Sequence, residues 1–215
     1  MRTIAIGDIH GCGDALEKLI KKIKPKENDL IITLGDHLNR GRNTKKVLDI
    51  LMNLPCKHIP IMGNHEEMLF GALEGGSDSL KYFLQFGGFF TLMSFGVDNP
   101  KDIPYEYKKF FKSCVQYHET ENFIFTHANY DANKDFCDQP SELLRWKHLS
   151  SAMPNPHKSG KTVVVGHSVQ DDGVFDSLGY LICLDTGAGV KATGGKLSAL
   201  DVTNNVVYQV KADGN

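Results

Sequence analysis

Apolar and polar positions follow a repeating pattern along the first third of the chain. Residues 2–6 form a short apolar run ending in Gly7-Asp8-Ile9-His10-Gly11, after which Leu16, Leu19, Ile20 and Ile23 recur at helical spacing. Residues 30–34 repeat the run, close on Gly35-Asp36 and lead into Val47, Leu48, Ile50, Leu51 and Leu54. Residues 57–62 repeat it again, close on Gly63-Asn64-His65-Glu66 and lead into Met68, Leu69, Ala72 and Leu73. Three units of strand, polar loop and helix in succession predict right-handed βαβ crossovers and a parallel sheet.

Residues 77–115 read as helical and aromatic, with breaks at Gly87-Gly88 and Asn99-Pro100. Such a stripe predicts core or cap packing. Strands return at 123–126, before His127-Ala128-Asn129, and at 162–165, before Gly166-His167, with a helix expected over 141–149. In the tail, Val174-Phe175 and residues 180–184, 197–202 and 206–210 predict short strands of a second, mixed or antiparallel sheet. Asn204-Asn205 is a suitable hairpin turn. No linker or compositional break interrupts the pattern, so residues 1–215 are expected to form one α/β domain with two packed sheets.

Composition removes function classes without choosing one. The 215 residues carry 26 acids against 24 bases, a formal net charge of −2, which argues against nucleic-acid binding through a broad basic face. No apolar run approaches the roughly 18 residues that a membrane span needs, and Asp8 comes too early for a signal peptide. Five scattered cysteines without Cys-x-x-Cys spacing read as reduced thiols of a cytoplasmic protein.

The chemistry lies where the strands end. Asp8 and His10 follow the first strand, Asp36 the second, Asn64 and His65 the third, and His127 and His167 two later ones. Taken singly, Asp-x-His after a strand is ordinary turn chemistry, Asn64 is a good helix N-cap, and an isolated histidine is more often structural. Taken together and in order, they predict five loops converging at the carboxyl ends of the strands. Carboxylate and amide oxygens with imidazole nitrogens suit manganese, iron, zinc or magnesium. A carboxylate can bridge two cations, and a pair about 3.5–4 Å apart suits in-line displacement at phosphorus.

The series Gly7-Asp8-Ile9-His10-Gly11, Gly35-Asp36-His37-Leu38-Asn39-Arg40-Gly41, Gly63-Asn64-His65-Glu66, His127 and Gly166-His167 resembles the calcineurin-like metallophosphoesterases. Within them it is most similar to the phosphoprotein phosphatase branch, above all to small bacterial and phage serine/threonine phosphatases. Cys183-Leu184-Asp185-Thr186-Gly187-Ala188 is similar to a further strand of that group. The resemblance implies a four-layer α/β/β/α sandwich, two mixed sheets flanked by helices, with a dinuclear centre of two divalent ions, manganese first and iron, zinc or magnesium as alternatives. By the same resemblance Asp8, His10 and Asp36 hold one metal, and Asp36, Asn64, His127 and His167 the other, with Asp36 bridging. His65 is then the general acid, Arg40 grips phosphate with Asn64, and hydroxide held by the metals attacks directly. Cys12 adjoins these loops but lacks the phosphate-cradling loop of a cysteine phosphatase.

Three departures bear on substrate. Asn39 stands where the family has Asp, and Met62 where it commonly has a second phosphate-clamping Arg. The family's Trp-x-Arg segment is replaced by Leu144-Arg145-Trp146-Lys147-His148, where Arg145 is the first choice for a phosphate ligand and Lys147 the second. A neutral residue at position 39 also resembles the diadenosine tetraphosphatase-like branch, but that branch favours Gly-Asn-His-Asp and this chain keeps Glu66. The balance favours hydrolysis of phosphomonoesters, as phosphoserine, phosphothreonine or phosphotyrosine proteins or a small phosphate ester. Dinucleoside polyphosphates are the alternative substrates, and an inactive phosphate-binding module is the minor reading.

Overall fold

The computed structural model describes residues 1–170, 173, 176–190 and 194–212. The three expected units form β1 (Thr3–Ile6), α1 (Gly13–Ile23), β2 (Leu30–Thr33), α2 (Thr44–Met52), β3 (Lys57–Pro60) and α3 (Asn64–Glu74). Their apolar positions explain them. Helix α1 buries Ala15, Leu16, Leu19 and Ile23, and helix α2 buries Val47, Leu48 and Leu51. Helix α3 starts where Glu66, in its first turn, accepts the Gly63 N–H at 2.8 Å.

The aromatic middle is helical as expected, in α4 (Ser77–Phe83), α5 (Phe89–Phe95) and α6 (Tyr105–Lys112). Phe83 and Phe111 are fully buried, whereas Phe86, Phe89 and Tyr105 are exposed. The chain kinks between α4 and α5 at Gly87, with φ of 92°. A Cβ there would lie 2.6 Å from the Arg40 nitrogen, so only glycine lets the kink approach that loop.

The second half supplies β4 (Tyr117–Glu119), β5 (Phe123–Thr126), α7 (Ser141–Trp146), β6 (Thr162–Val165), β7 (Asp176–Ser177), β8 (Leu181–Cys183), β9 (Lys196–Asp201) and β10 (Val206–Lys211). Helix α7 stops three residues short of its expected end. The expected run at Val174-Phe175 lies outside the described residues. The hairpin turn occupies 202–205, where Asp201 Oδ1 accepts the backbone N–H groups of Thr203 and Asn204.

One sheet has the order β10-β9-β1-β2-β3 and the other β4-β5-β6-β8-β7. This corrects the expectation that all the tail strands build the second sheet. The β9–β10 hairpin joins the first sheet, β9 running antiparallel to β1 with Ala5 opposite Leu200. Both sheets are mixed. Strand alternation makes the layers: Ile4, Ile6 and Ile31 pack with α1 and α2, whereas Ala5, Ile32, Phe125, Val164, Ile182 and Leu200 fill the space between the sheets. Val163, Val165 and Leu181 face outward beneath Tyr130, Phe136 and Leu144. Helices thus flank two packed sheets, thickly on the first side and by α7 and its adjoining chain on the second.

Arg2 ties the first strand to the end of α1. Its guanidinium donates to Asp29, to Ile23 O at 3.2 Å and to Lys24 O at 3.0 Å, while Asp29 also accepts the Lys26 N–H at 2.8 Å. The Arg2 hydrogen bond holds the Asp29 carboxyl well below the usual carboxylate range. A depressed carboxylate stabilises above its unfolded pKa, and that contribution fades as pH falls towards the folded value. Arg2→Ala is therefore expected to cost about 1–2 kcal/mol of unfolding free energy at pH 7. In urea titrations the gap to wild type should narrow below about pH 4; a gap independent of pH would remove Asp29 from the account.

Candidate metal centre

The site loops are bent in a way the sequence pattern does not announce. His10, Asp36, Asn39, Arg40 and His167 all have positive φ, from 44° to 69°, which is rare for residues with a Cβ. The surrounding bonds over-determine these conformations. Asp36 O accepts the Ile9 and His10 N–H groups at 3.2 and 2.7 Å, and His10 O accepts the Gly41 N–H at 2.9 Å. Glu66, fully buried, accepts from the Asp36 N–H, the His37 N–H and His37 Nδ1 at 2.9, 2.8 and 3.0 Å. Burial alone would raise its carboxyl, but the charge and hydrogen bonds of His37 outweigh that and hold it at about 2. Glu66 therefore straps the second and third loops together.

Two donor groups meet at Asp36. His10, Asp36 and His65 form one, and Asp36, His127 and His167 the other, with ligand atoms within 4.8 Å of one another in each. Asp36 Oδ2 lies 3.5 Å from His10 Nε2 and 3.8 Å from His65 Nε2, and Oδ1 lies 3.6 Å from His127 Nε2. Asn64 Oδ1 reaches His127 Nε2 at 3.0 Å, which puts it beside the second group. The glycine before Asn64 is required here: a Cβ on Gly63 would sit 2.2 Å from Asp36 Oδ1.

Three imidazoles each have one nitrogen held at a backbone carbonyl. His10 Nδ1 lies 3.2 Å from Leu38 O, His127 Nδ1 2.7 Å from Leu34 O, and His167 Nε2 3.1 Å from Trp146 O. A carbonyl only accepts, so each held nitrogen carries the proton and the other presents its lone pair. Burial, followed by the Arg40 guanidinium, holds His10 well below the usual range, and burial lowers His167 to about 2 and His127 to about 4. All three are neutral at pH 7. Burial, then the charges of Asp185 and Asp36, pushes Asp8 well above the usual carboxylate range, and burial followed by Glu66 does the same to Asp36. Neutral imidazoles facing crowded buried carboxylates are a donor set that fits divalent cations.

The other expected residues divide. Asp8, expected as a ligand of the first metal, stands outside both donor groups and accepts the His167 backbone N–H with both oxygens at 3.1 Å. Arg40 reaches the centre, with Nη2 3.4 Å from His65 Nε2, and its backbone N–H donates to Gly87 O at 3.3 Å. Arg145, the first choice for a second phosphate ligand, is instead committed: Nη1 pairs with Glu67 at 2.8 Å and Nε donates to Gln116 at 3.1 Å. Lys147 is exposed, and Met62 packs against the helix-side core. Burial raises the Cys12 thiol to about 11, which leaves it a poor nucleophile.

Asn39 turns its amide nitrogen, not its oxygen, towards His65. The Thr91 hydroxyl donates to Asn39 Oδ1 at 2.8 Å, and Asn39 Nδ2 faces His65 Nδ1 at 2.8 Å. Thr91 and Asp185 are the site residues that motif reading passed over. Asp185 was visible in its Asp-Thr-Gly context; it is buried beside Asp8, accepts the Gly187 N–H at 3.0 Å, and is raised by burial to about 6. Thr91 had no signal, because it lies 52 residues from Asn39 inside the aromatic stripe.

The calcineurin-like phosphoesterase family model matches residues 1–204, and the chain belongs to that family. Over 195 residues it is 27% identical to serine/threonine-protein phosphatase 2 of Salmonella typhimurium, covering 85% of this chain and 86% of that protein. Over 77 residues it is 42% identical to a symmetrical bis(5'-nucleosyl)-tetraphosphatase of Legionella pneumophila, covering 35% of this chain and only 28% of that enzyme. Among solved structures, one described as a putative diadenosine tetraphosphatase has a TM-score of 0.75 at 20% identity and covers 100% of this chain and 95% of its own. A cold-active protein-tyrosine phosphatase of a Shewanella species has a TM-score of 0.67 at 16% identity, covering 100% and 78%. These two structural likenesses show the fold. No helix among the described residues is long and apolar enough to cross a membrane.

Proposed function

We propose that this chain is a metal-dependent phosphatase of phosphomonoesters, acting on phosphoserine and phosphothreonine in proteins. The observation that carries the reading is Asp36, whose two oxygens face separate histidine groups, with the Arg40 guanidinium alongside. The near-full-length likeness to the Salmonella protein phosphatase supports the protein substrate. In this reading Asp8, His10 and Asp36 hold one cation, and Asp36, Asn64, His127 and His167 the other, with manganese the first choice. Divalent cations held there would supply Lewis acidity and would make water a stronger nucleophile at neutral pH. Arg40 orients the phosphate oxygens, with Asn64 beside it. Arg145 braces α3 against α7 through Glu67. Five free thiols support a reducing, cytoplasmic setting.

A second reading, hydrolysis of dinucleoside polyphosphates, is favoured by Asn39 and by the Legionella relative. Initial rates with Mn2+ on a phosphothreonine peptide and on diadenosine tetraphosphate separate the two. Faster turnover of the dinucleotide, in kcat/KM, would reverse the order. Turnover of neither substrate, nor of an aryl phosphate, would leave the binding-module reading.

With Arg145 committed elsewhere, Arg40 is the guanidinium that reaches the centre among the described residues. Arg40→Ala is expected to lower kcat/KM for the phosphopeptide by about 2 kcal/mol, mainly through KM. Unchanged kinetics would show that phosphate is held by another group.

A further inference from the structure

His167 is held from several sides by residues distant in the chain. Its backbone N–H goes to Asp8, its Nε2 to Trp146 O, and its ring meets the edge of His127 at a centroid distance of 5.0 Å. A further contact is His148. The two rings stack, with centroids 4.1 Å apart and planes inclined by 29°, and His148 is otherwise exposed. Its backbone is anchored, since His148 O accepts the N–H groups of Ser151 and Ala152 at 3.1 and 3.3 Å. The next residue ties the same two loops together, Leu149 N–H donating to Ser168 Oγ at 2.9 Å. Residues 146–149 therefore grip residues 167–168 through a carbonyl, a ring face and an amide.

We propose that His148 is a positioning residue whose stacked ring keeps the His167 imidazole turned so that its free nitrogen meets the second cation. The inference rests on the two-cation reading of the site. With Nε2 committed to Trp146, only Nδ1 is available to a metal, and rotation of the ring about its bond to the backbone would carry that nitrogen away. The His167 backbone, with φ of 61°, keeps that conformation only because neighbours such as Asp8 fix it. Groups that orient a metal-binding histidine typically alter affinity about 10–100-fold when removed.

The test is calorimetric titration of the metal-free protein with Mn2+. Wild type is expected to take up two ions. His148→Ala should weaken the second site by about tenfold or more and leave the first unchanged, whereas His148→Phe, which keeps a stacking ring, should stay within about threefold of wild type. Thermal unfolding of the metal-free proteins checks that the variants fold alike. At limiting Mn2+ the Ala variant should lose turnover that excess Mn2+ restores, with KM for substrate unmoved. Wild-type affinity in the Ala variant, equal weakening in the Ala and Phe variants, or a raised KM with metal affinity intact would each overturn the assignment. The last result would make His148 a substrate contact. Wild-type protein binding fewer than two Mn2+ would overturn the centre itself, and the clamp with it.

Discussion

Asp36→Asn is expected to reduce turnover at least about a thousandfold, or roughly 4 kcal/mol of transition-state stabilisation. Among the described residues Asp36 is the carboxylate shared by both donor groups, with Oδ2 towards His10 and His65 and Oδ1 towards His127. An amide keeps the shape and one accepting oxygen but removes the negative charge that lets two cations sit close together. Oδ1 also accepts the His65 N–H at 3.0 Å, so the variant should disturb the start of α3 as well. The fold is expected to survive, because the apolar layers lie beneath the loop rather than in it. Metal analysis and kinetics on the purified variant provide the check. Two bound ions with near-normal turnover would show that the centre does not depend on a bridging charge.

His65→Asn is expected to separate substrates by leaving group. Loss of a positioned acid typically costs about 10²–10⁴-fold when the leaving group needs a proton, and much less when it does not. Alkyl phosphates should therefore suffer far more than an activated aryl phosphate. The surroundings of His65 limit its acidity: burial and then Arg40 hold the imidazole down at about 3. It is therefore neutral at pH 7, and both of its nitrogens face donors, Asn39 Nδ2 at 2.8 Å from Nδ1 and the Arg40 guanidinium at 3.4 Å from Nε2. Asn39→Asp would place an anionic acceptor at Nδ1 and still accept the Thr91 hydroxyl with its other oxygen. A folded pKa raised in this way extends the charged form to higher pH. That variant should gain turnover on alkyl phosphates and move the basic limb of their pH–rate profile upward, with little change for the aryl ester. Equal losses on both substrate types in His65→Asn would instead make His65 a metal or phosphate positioner.

Much of the candidate centre is legible in the sequence because its donors follow strands. A parallel strand ends at a defined rim, so a polar residue one or two positions past an apolar run has a predictable location. Asp8, His10, Asp36, Asn64, His127 and His167 were picked out in this way, of which the structure brings His10, Asp36, His127 and His167 into its two donor groups, and their order and spacing carried the family resemblance. The helix periods of α1, α2 and α3 were equally local properties.

The tertiary structure decided what depends on contacts between distant segments. Periodicity shows that residues 196–201 and 206–211 are strands but not which edge they join; packing against β1 placed the hairpin in the first sheet. The type of a cation does not reveal its partner, and Glu67, 78 residues away in the sequence, took Arg145 from the role expected of it. Asn39 could present either end of its amide to His65 until Thr91 occupied the oxygen. The stacking of His148 on His167 likewise joins two loops whose sequences carry no mark of each other. Local pattern determines which residues can reach the centre, because strand and helix geometry are set within a few residues. Hydrogen-bond partners are settled only when remote loops close together, because each buried polar atom must then be satisfied by whichever group the packing has brought within reach.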